Sequence, residues 1–213
     1  MKRTHQWIAG SIFLGATLLS CTSNGQNPII EKRDQPSITS EKASFYVDTV
    51  YSGLENPWGI AWLPDGRMLV NERKGEILIF EKDTYTGRKL QGFPETYKRG
   101  QGGLLDIQIH PKYAENGWIY VTYAKPGEGG GSTTLIRFKL DGDNITSLEE
   151  LLQTQPLSSG PTHFGSRIIF DKDGYVYFST GERGVKENSQ NLSNDMGKIH
   201  RLHDDGRIPE KIE

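Results

Sequence analysis

The sequence predicts an all-β fold assembled from repeated hairpins, and three observations carry that prediction. Short runs of β-branched and aromatic residues recur in pairs, each pair divided by a polar turn that contains glycine. The turn glycines of three such hairpins, Gly66, Gly117 and Gly174, fall 51 and 57 residues apart. Helical signals are weak and confined to Ser147–Gln153, where one short turn or helix is expected.

The chain of 213 residues opens with Lys2 and Arg3, an apolar run from Trp7 to Leu19, and the ending Leu18-Leu19-Ser20-Cys21. A basic start followed by a short apolar core describes a signal peptide over residues 1–20, too short for a comfortable membrane span. Its ending resembles a bacterial lipobox. Cys21, the only cysteine, is therefore expected to become the lipid-modified first residue of the mature protein. An ordinary signal peptide with an incidental cysteine is the alternative. Residues 21–42 are polar without sustained periodicity and read as a flexible tether. A folded domain is expected over residues 43–213, long enough to build its own core. This places it outside the cytoplasm, facing the periplasm or cell exterior and held to a membrane only through the lipid. Net charge is −2 and no basic cluster stands out, so nucleic acid is not an expected partner.

Along the domain the hairpin pattern repeats. Gly59–Leu63 and Arg67–Asn71 flank Pro64-Asp65-Gly66; Asp106–Ile109 and Trp118–Tyr123 flank a longer connection ending in Asn116-Gly117. Arg167–Phe170 and Tyr175–Ser179 flank Asp171-Lys172-Asp173-Gly174. Each hairpin is followed by further strand-like residues, at Glu76–Phe80, Thr133–Leu140 and Lys198–Leu202. Three to four strands recurring every fifty-odd residues point to propeller blades, with a meandering sandwich as the rival.

Glycine-rich and histidine-bearing stretches sort by the same logic. Gly127–Ser132 lacks the Gly-Lys-Ser/Thr ending of a phosphate loop and reads as a hairpin loop. Gly100-Gln101-Gly102-Gly103 precedes an apolar strand, where glycines allow close approach of a ligand or a neighbouring strand. His200 and His203 fall three apart on a strand, hence on opposite faces, and read as solvated surface residues rather than metal ligands. His110, before Pro111, reads as structural.

His163 and Glu182 are equidistant from a point between Lys172 and Asp173, inside the third turn. A hairpin folded there brings them to the same open end. A carboxylate beside an imidazole is the arrangement of an oriented general base, and equally that of a surface histidine near a glutamate.

Several motifs then occur in series: Gly53-Leu54-x-Asn56-Pro57-Trp58-Gly59, GQGGLLDIQIHP (100–111), HFGSRIIF (163–170), and MGKIHRL with DGRIP between Met196 and Pro209. In this order they closely resemble the soluble quinoprotein aldose sugar dehydrogenases of the glucose/sorbosone dehydrogenase family. The resemblance implies a six-bladed β-propeller, of which about the first three blades lie here. It implies pyrroloquinoline quinone (PQQ) and calcium as cofactors, and oxidation of the C1 hydroxyl of an aldose sugar. Electrons would pass on to a dye, quinone or cytochrome. On the matching positions, His163 is the catalytic base, Glu182 holds it, and Gln101 lies near sugar and quinone. Arg167 takes a structural role.

Two departures qualify the resemblance. Thr162 stands where relatives carry an asparagine or aspartate that contacts substrate, which weakens the expected grip on the sugar. Among the 213 residues there is also no counterpart of the family's later arginine-asparagine motif, its calcium ligands or the cations that hold the PQQ carboxylates. No metal ligand is therefore expected in this portion, and the chain by itself is expected to be inactive. A non-catalytic propeller-type binding module and a propeller lactonase-like hydrolase with a metal-bound water are the competing readings.

Overall fold

The computed structural model describes residues 36–210, so the signal-like segment and Cys21 lie outside the described residues. The chain divides into two units, one ending at Asp48 and one beginning at Thr49. In the first, β1 (Ile38–Thr39) and β2 (Ser44–Phe45) form a short antiparallel pair. β1 thus falls inside the segment that reads as a tether.

The second unit holds three antiparallel sheets among the described residues, each a meander in which every strand pairs with the one before it. The first sheet is β3 (Pro57–Trp62), β4 (Arg67–Glu72), β5 (Glu76–Glu81) and β6 (Thr84–Lys89). The second is β7 (Leu104–Ile109), β8 (Ile119–Gly127), β9 (Gly130–Asp141) and β10 (Asn144–Gln153), with the single turn α1 (Tyr113–Asn116) linking β7 to β8. The third is β11 (Ile168–Phe170), β12 (Val176–Ser179) and β13 (Ile199–Leu202). All three expected hairpins form, and Gly127–Ser132 closes the β8–β9 hairpin, with the strands pairing as far as Gly127 and Gly130.

Two expectations are corrected. Ser147–Gln153 is not helical but lies within β10, paired to β9 through two register shifts. Its glutamates satisfy cross-strand partners instead of a helix face: Glu149 bonds Arg137 at 2.8 Å and Glu150 bonds Lys125 at 2.7 Å. Tertiary pairing overrides a weak local preference here. His200 is not a solvated surface residue either. Its ring stacks on Phe178 at 4.8 Å, with Nε2 3.2 Å from both the Thr180 hydroxyl and the Asp195 carbonyl. Burial pushes its pKa down. His203 does take the opposite face, against Tyr175. His110 is buried, its Nδ1 accepting the Lys112 N–H at 3.0 Å.

The middle sheet is buried on both faces. From β8, Ile119, Val121 and Tyr123 join Leu69, Ile77 and Ile79 of the first sheet; Tyr120 joins Ile168, Val176, Phe178 and Leu202 of the third. From β9, Ile136 and Phe138 go to the first cluster and Leu135 to the second. Successive side chains point to opposite faces of a strand, so a nearly continuous apolar run serves two cores at once.

The leading strands of the sheets are neighbours, β3 beside β7 and β7 beside β11. Gly59 permits the first approach, since a Cβ there would lie 2.9 Å from the Ile107 nitrogen. Polar ties reinforce it: Asn71 Nδ2 donates to the Leu105 carbonyl at 3.1 Å, and Thr122 Oγ1 to the Ser166 carbonyl at 3.0 Å. No helix among the described residues is long and apolar enough to cross a membrane.

Phe138, fully buried between the first two sheets, tests this packing. Phe138→Ala is expected to lower unfolding free energy by about 3–5 kcal/mol, read as a shifted denaturant midpoint. A shift under a third of that would mean the face is not tightly packed.

Candidate active site

The ends of β3, β7 and β11 frame a cavity of about 480 Å³, lined by Asn56, Trp58, Arg73, Gly100, Gln101, His163, Phe164 and Gly165. Each wall has a local cause. Arg73, just after β4, donates from Nη1 to the carbonyls of Gly100 at 2.7 Å and Gly102 at 3.3 Å. These bonds fix the glycine-rich loop ahead of β7. Gly100 adopts φ +58 and abuts Pro161, where a Cβ would overlap the carbonyl. The Gln101 N–H donates to that same Pro161 carbonyl at 2.8 Å. The loop ahead of β7 and the loop ahead of β11 are thereby joined.

His163 sits on the second of these loops in the left-handed region, at φ 54. That conformation is uncommon for a residue with a Cβ and has to be held by its surroundings. Its N–H donates to Gln101 Oε1 at 2.8 Å, and a Cβ at Gly181 would overlap its carbonyl. Its Nδ1 is hydrogen-bonded to Glu182 Oε1, which also accepts the Gly184 N–H at 3.1 Å. The histidine side chain is 51 % exposed and the glutamate 20 %, so the pair opens to solvent from the imidazole side. The hydrogen bond from His163, above all, holds the Glu182 carboxyl below the usual glutamate range. With Nδ1 engaged by a carboxylate, Nε2 is the nitrogen left to accept a proton.

The four site residues predicted from the sequence lie together, with Gln101, Thr162 and Glu182 all beside His163. Gln101 reaches His163, but its carbonyl oxygen is occupied by the histidine backbone. Thr162 contributes its carbonyl, which accepts from Arg183 Nε at 2.9 Å. The β11–β12 ladder pairs Ile168 with Phe178 and Phe170 with Val176. Continued in that register it would set His163 opposite Arg183, so the loop conformation brings Glu182 to the histidine.

Sequence reasoning missed three contributors. Arg73 and Arg183 act on carbonyls distant in sequence, for which no local signal exists. Asp106 was legible in principle, as a lone carboxylate inside the apolar run Leu104–Ile109. It is fully buried and accepts the Ile168 N–H and Arg167 Nη1, both at 2.7 Å. Arg167 in turn lies over the Trp58 ring at 4.6 Å, consistent with the structural role the resemblance implies.

The antiparallel sheets thus carry an imidazole oriented by a carboxylate at the lip of an open cavity. The chain belongs to the glucose/sorbosone dehydrogenase family, whose model matches residues 54–211. It is 33% identical over 172 residues to the aldose sugar dehydrogenase YliI of Escherichia coli (strain K12), covering 79% of this chain and 46% of that protein. Among solved structures it is similar to the apo form of the soluble aldose sugar dehydrogenase of Escherichia coli (TM-score 0.70, 33% identity, 74% of this chain and 46% of that one). It is likewise similar to the PQQ-bound aldose sugar dehydrogenase of Streptomyces coelicolor (TM-score 0.62, 31% identity, 75% and 48%). The chain thus spans about half the length of these relatives, and its sheets match part of the family's propeller structures.

Replacing His163 tests what holds the carboxylate. In His163→Ala, the Glu182 midpoint, followed by carboxyl ¹³C NMR, is expected to rise toward the ordinary value of about 4.3. Because the folded value is depressed, the pair stabilises the protein above the ordinary glutamate value. That contribution is lost as pH falls through the lowered one. An unmoved midpoint would mean another group sets it.

Proposed function

We propose that this chain carries the base side of a PQQ-dependent aldose sugar dehydrogenase that oxidises the C1 hydroxyl of its substrate. The observation that carries the reading is the His163–Glu182 pair at the edge of the cavity. Family membership and the PQQ-bound relative support the class of chemistry. In this reading the three sheets are the first three blades of a six-bladed propeller.

The residues of the cavity fit part of a flat, anionic ligand. Trp58 offers an aromatic wall, and Arg73 supplies a guanidinium. PQQ, when bound, supplies the two-electron acceptor for the hydride that leaves C1. His163 Nε2 takes the proton of the sugar hydroxyl. Glu182 keeps Nδ1 protonated and the ring in place, and stabilises the imidazolium that results. Gln101 fixes the histidine backbone, and Thr162 borders the base where a substrate hydroxyl would lie. For calcium, the described residues offer no cluster of three or more His, Cys, Asp or Glu. No step here is routed through it.

The test is dye reduction with an added aldose, with and without PQQ, by a version of the protein that spans the full length of its relatives. His163→Ala is expected to lower turnover by about 10²–10⁴-fold while PQQ binding persists. Near-native turnover in that variant would remove His163 from the role of base.

The Leu18–Cys21 ending supports a lipid-anchored, exported form of the protein, which would place sugar oxidation outside the cytoplasm. Mass spectrometry of the membrane fraction is expected to find an acylated N-terminal Cys21 peptide. An unmodified Cys21 inside an intact peptide would reject the anchor.

A further inference from the structure

Arg183 is a buried cation with an unusual set of partners. It is 5% exposed, and among the described residues no carboxylate pairs with it. Its guanidinium instead donates to three carbonyls: Nε to Thr162 at 2.9 Å, Nη1 to Gly131 at 2.9 Å, and Nη2 to Gly160. The guanidinium carbon lies 3.5 Å from the centroid of the Phe164 ring. Burial lowers its pKa to about 10, which still leaves it charged at neutral pH. Keeping a charge out of water without a counter-ion is costly, and the carbonyls and the ring face offset only part of that cost. An apolar side chain in the same space would leave three carbonyls without their donor, so the fork is what ties these backbone segments together.

Its contacts are arranged around the base. Thr162 and Phe164 are the two chain neighbours of His163, and Arg183 touches both. Arg183 is itself bonded through its backbone to Glu182. It also shares with His163 a left-handed backbone, at φ 64. The Phe164 carbonyl is held in turn by Thr133 Oγ1 at 2.6 Å.

We infer that Arg183 is a positioning residue for proton transfer: its guanidinium holds the loop on either side of His163, and its backbone carries Glu182. One side chain thus sets the base and its carboxylate relative to each other. This rests on the proposed role of His163. The bonds to Gly131 and Gly160 would serve a purely structural cross-link equally well, so the test needs readouts that such a link would not move.

Arg183→Met and Arg183→Lys in the native protein provide them, with kcat, KM and the downfield proton resonance of His163 Nδ1–H measured for each. For Arg183→Met, kcat is expected to fall about 10²-fold with KM nearly unchanged, the effect of misplacing a reacting group by about an ångström. The resonance is expected to move as the bond to Glu182 loosens. Arg183→Lys, which keeps the charge without the fork, is expected to fold and to recover part of kcat. It carries the same readouts if the methionine variant does not fold. A folded variant with unchanged kcat and resonance would overturn the inference. So would activity that falls only in step with the folded fraction while the resonance stays put. If the unaltered protein, in a version spanning the full length of its relatives, oxidises no sugar, the activity reading fails, and the resonance alone decides whether Arg183 sets the pair.

Discussion

The buried carboxylate of Asp106 is the interaction on which the site depends. It lies on β7 in the middle sheet, yet both of its strong bonds go to the third sheet, to the Ile168 N–H and to Arg167. Burial raises its pKa, while that N–H and the Arg167 charge oppose the rise and favour the charged form. Removing one partner would leave a buried group unsatisfied, a larger loss than the bond is worth net. The position of β11, and with it the loop that presents His163, follows from this tie.

Apolar packing alone would not fix that position so closely. The cluster of Tyr120, Leu135, Ile168, Val176, Phe178 and Leu202 presses the third sheet against the second. Hydrophobic burial is non-directional and tolerates small slides. Hydrogen bonds with defined geometry, from Asp106, Thr122 and Ser166, convert a pressed pair of sheets into a registered one.

Ahead of β11 the backbone itself becomes the material of the site. Carbonyls of Gly131, Gly160 and Thr162 gather around Arg183, and those of Gly100 and Gly102 around Arg73. Glycines at 100 and 181 stand where a Cβ would strike the adjoining loop. Two arginines and a few glycines thereby hold an uncommon histidine conformation in place.

Much of this was legible in the chain. Paired runs of β-branched and aromatic residues and the turn glycines between them located the three hairpins, because strand preference and turn chemistry are local. The position of His163 and Glu182 about the Asp173-Gly174 turn placed both at one end of a hairpin for the same reason. Local pattern failed at Ser147–Gln153, where pairing with β9 decided a strand, and at His200, which packs on Phe178. It was silent on Arg73, Arg183 and the partners of Asp106. Those side chains bind backbone groups between 21 and 62 residues away in sequence. A carbonyl carries no residue identity, so only the folded chain could show which ones these side chains would meet.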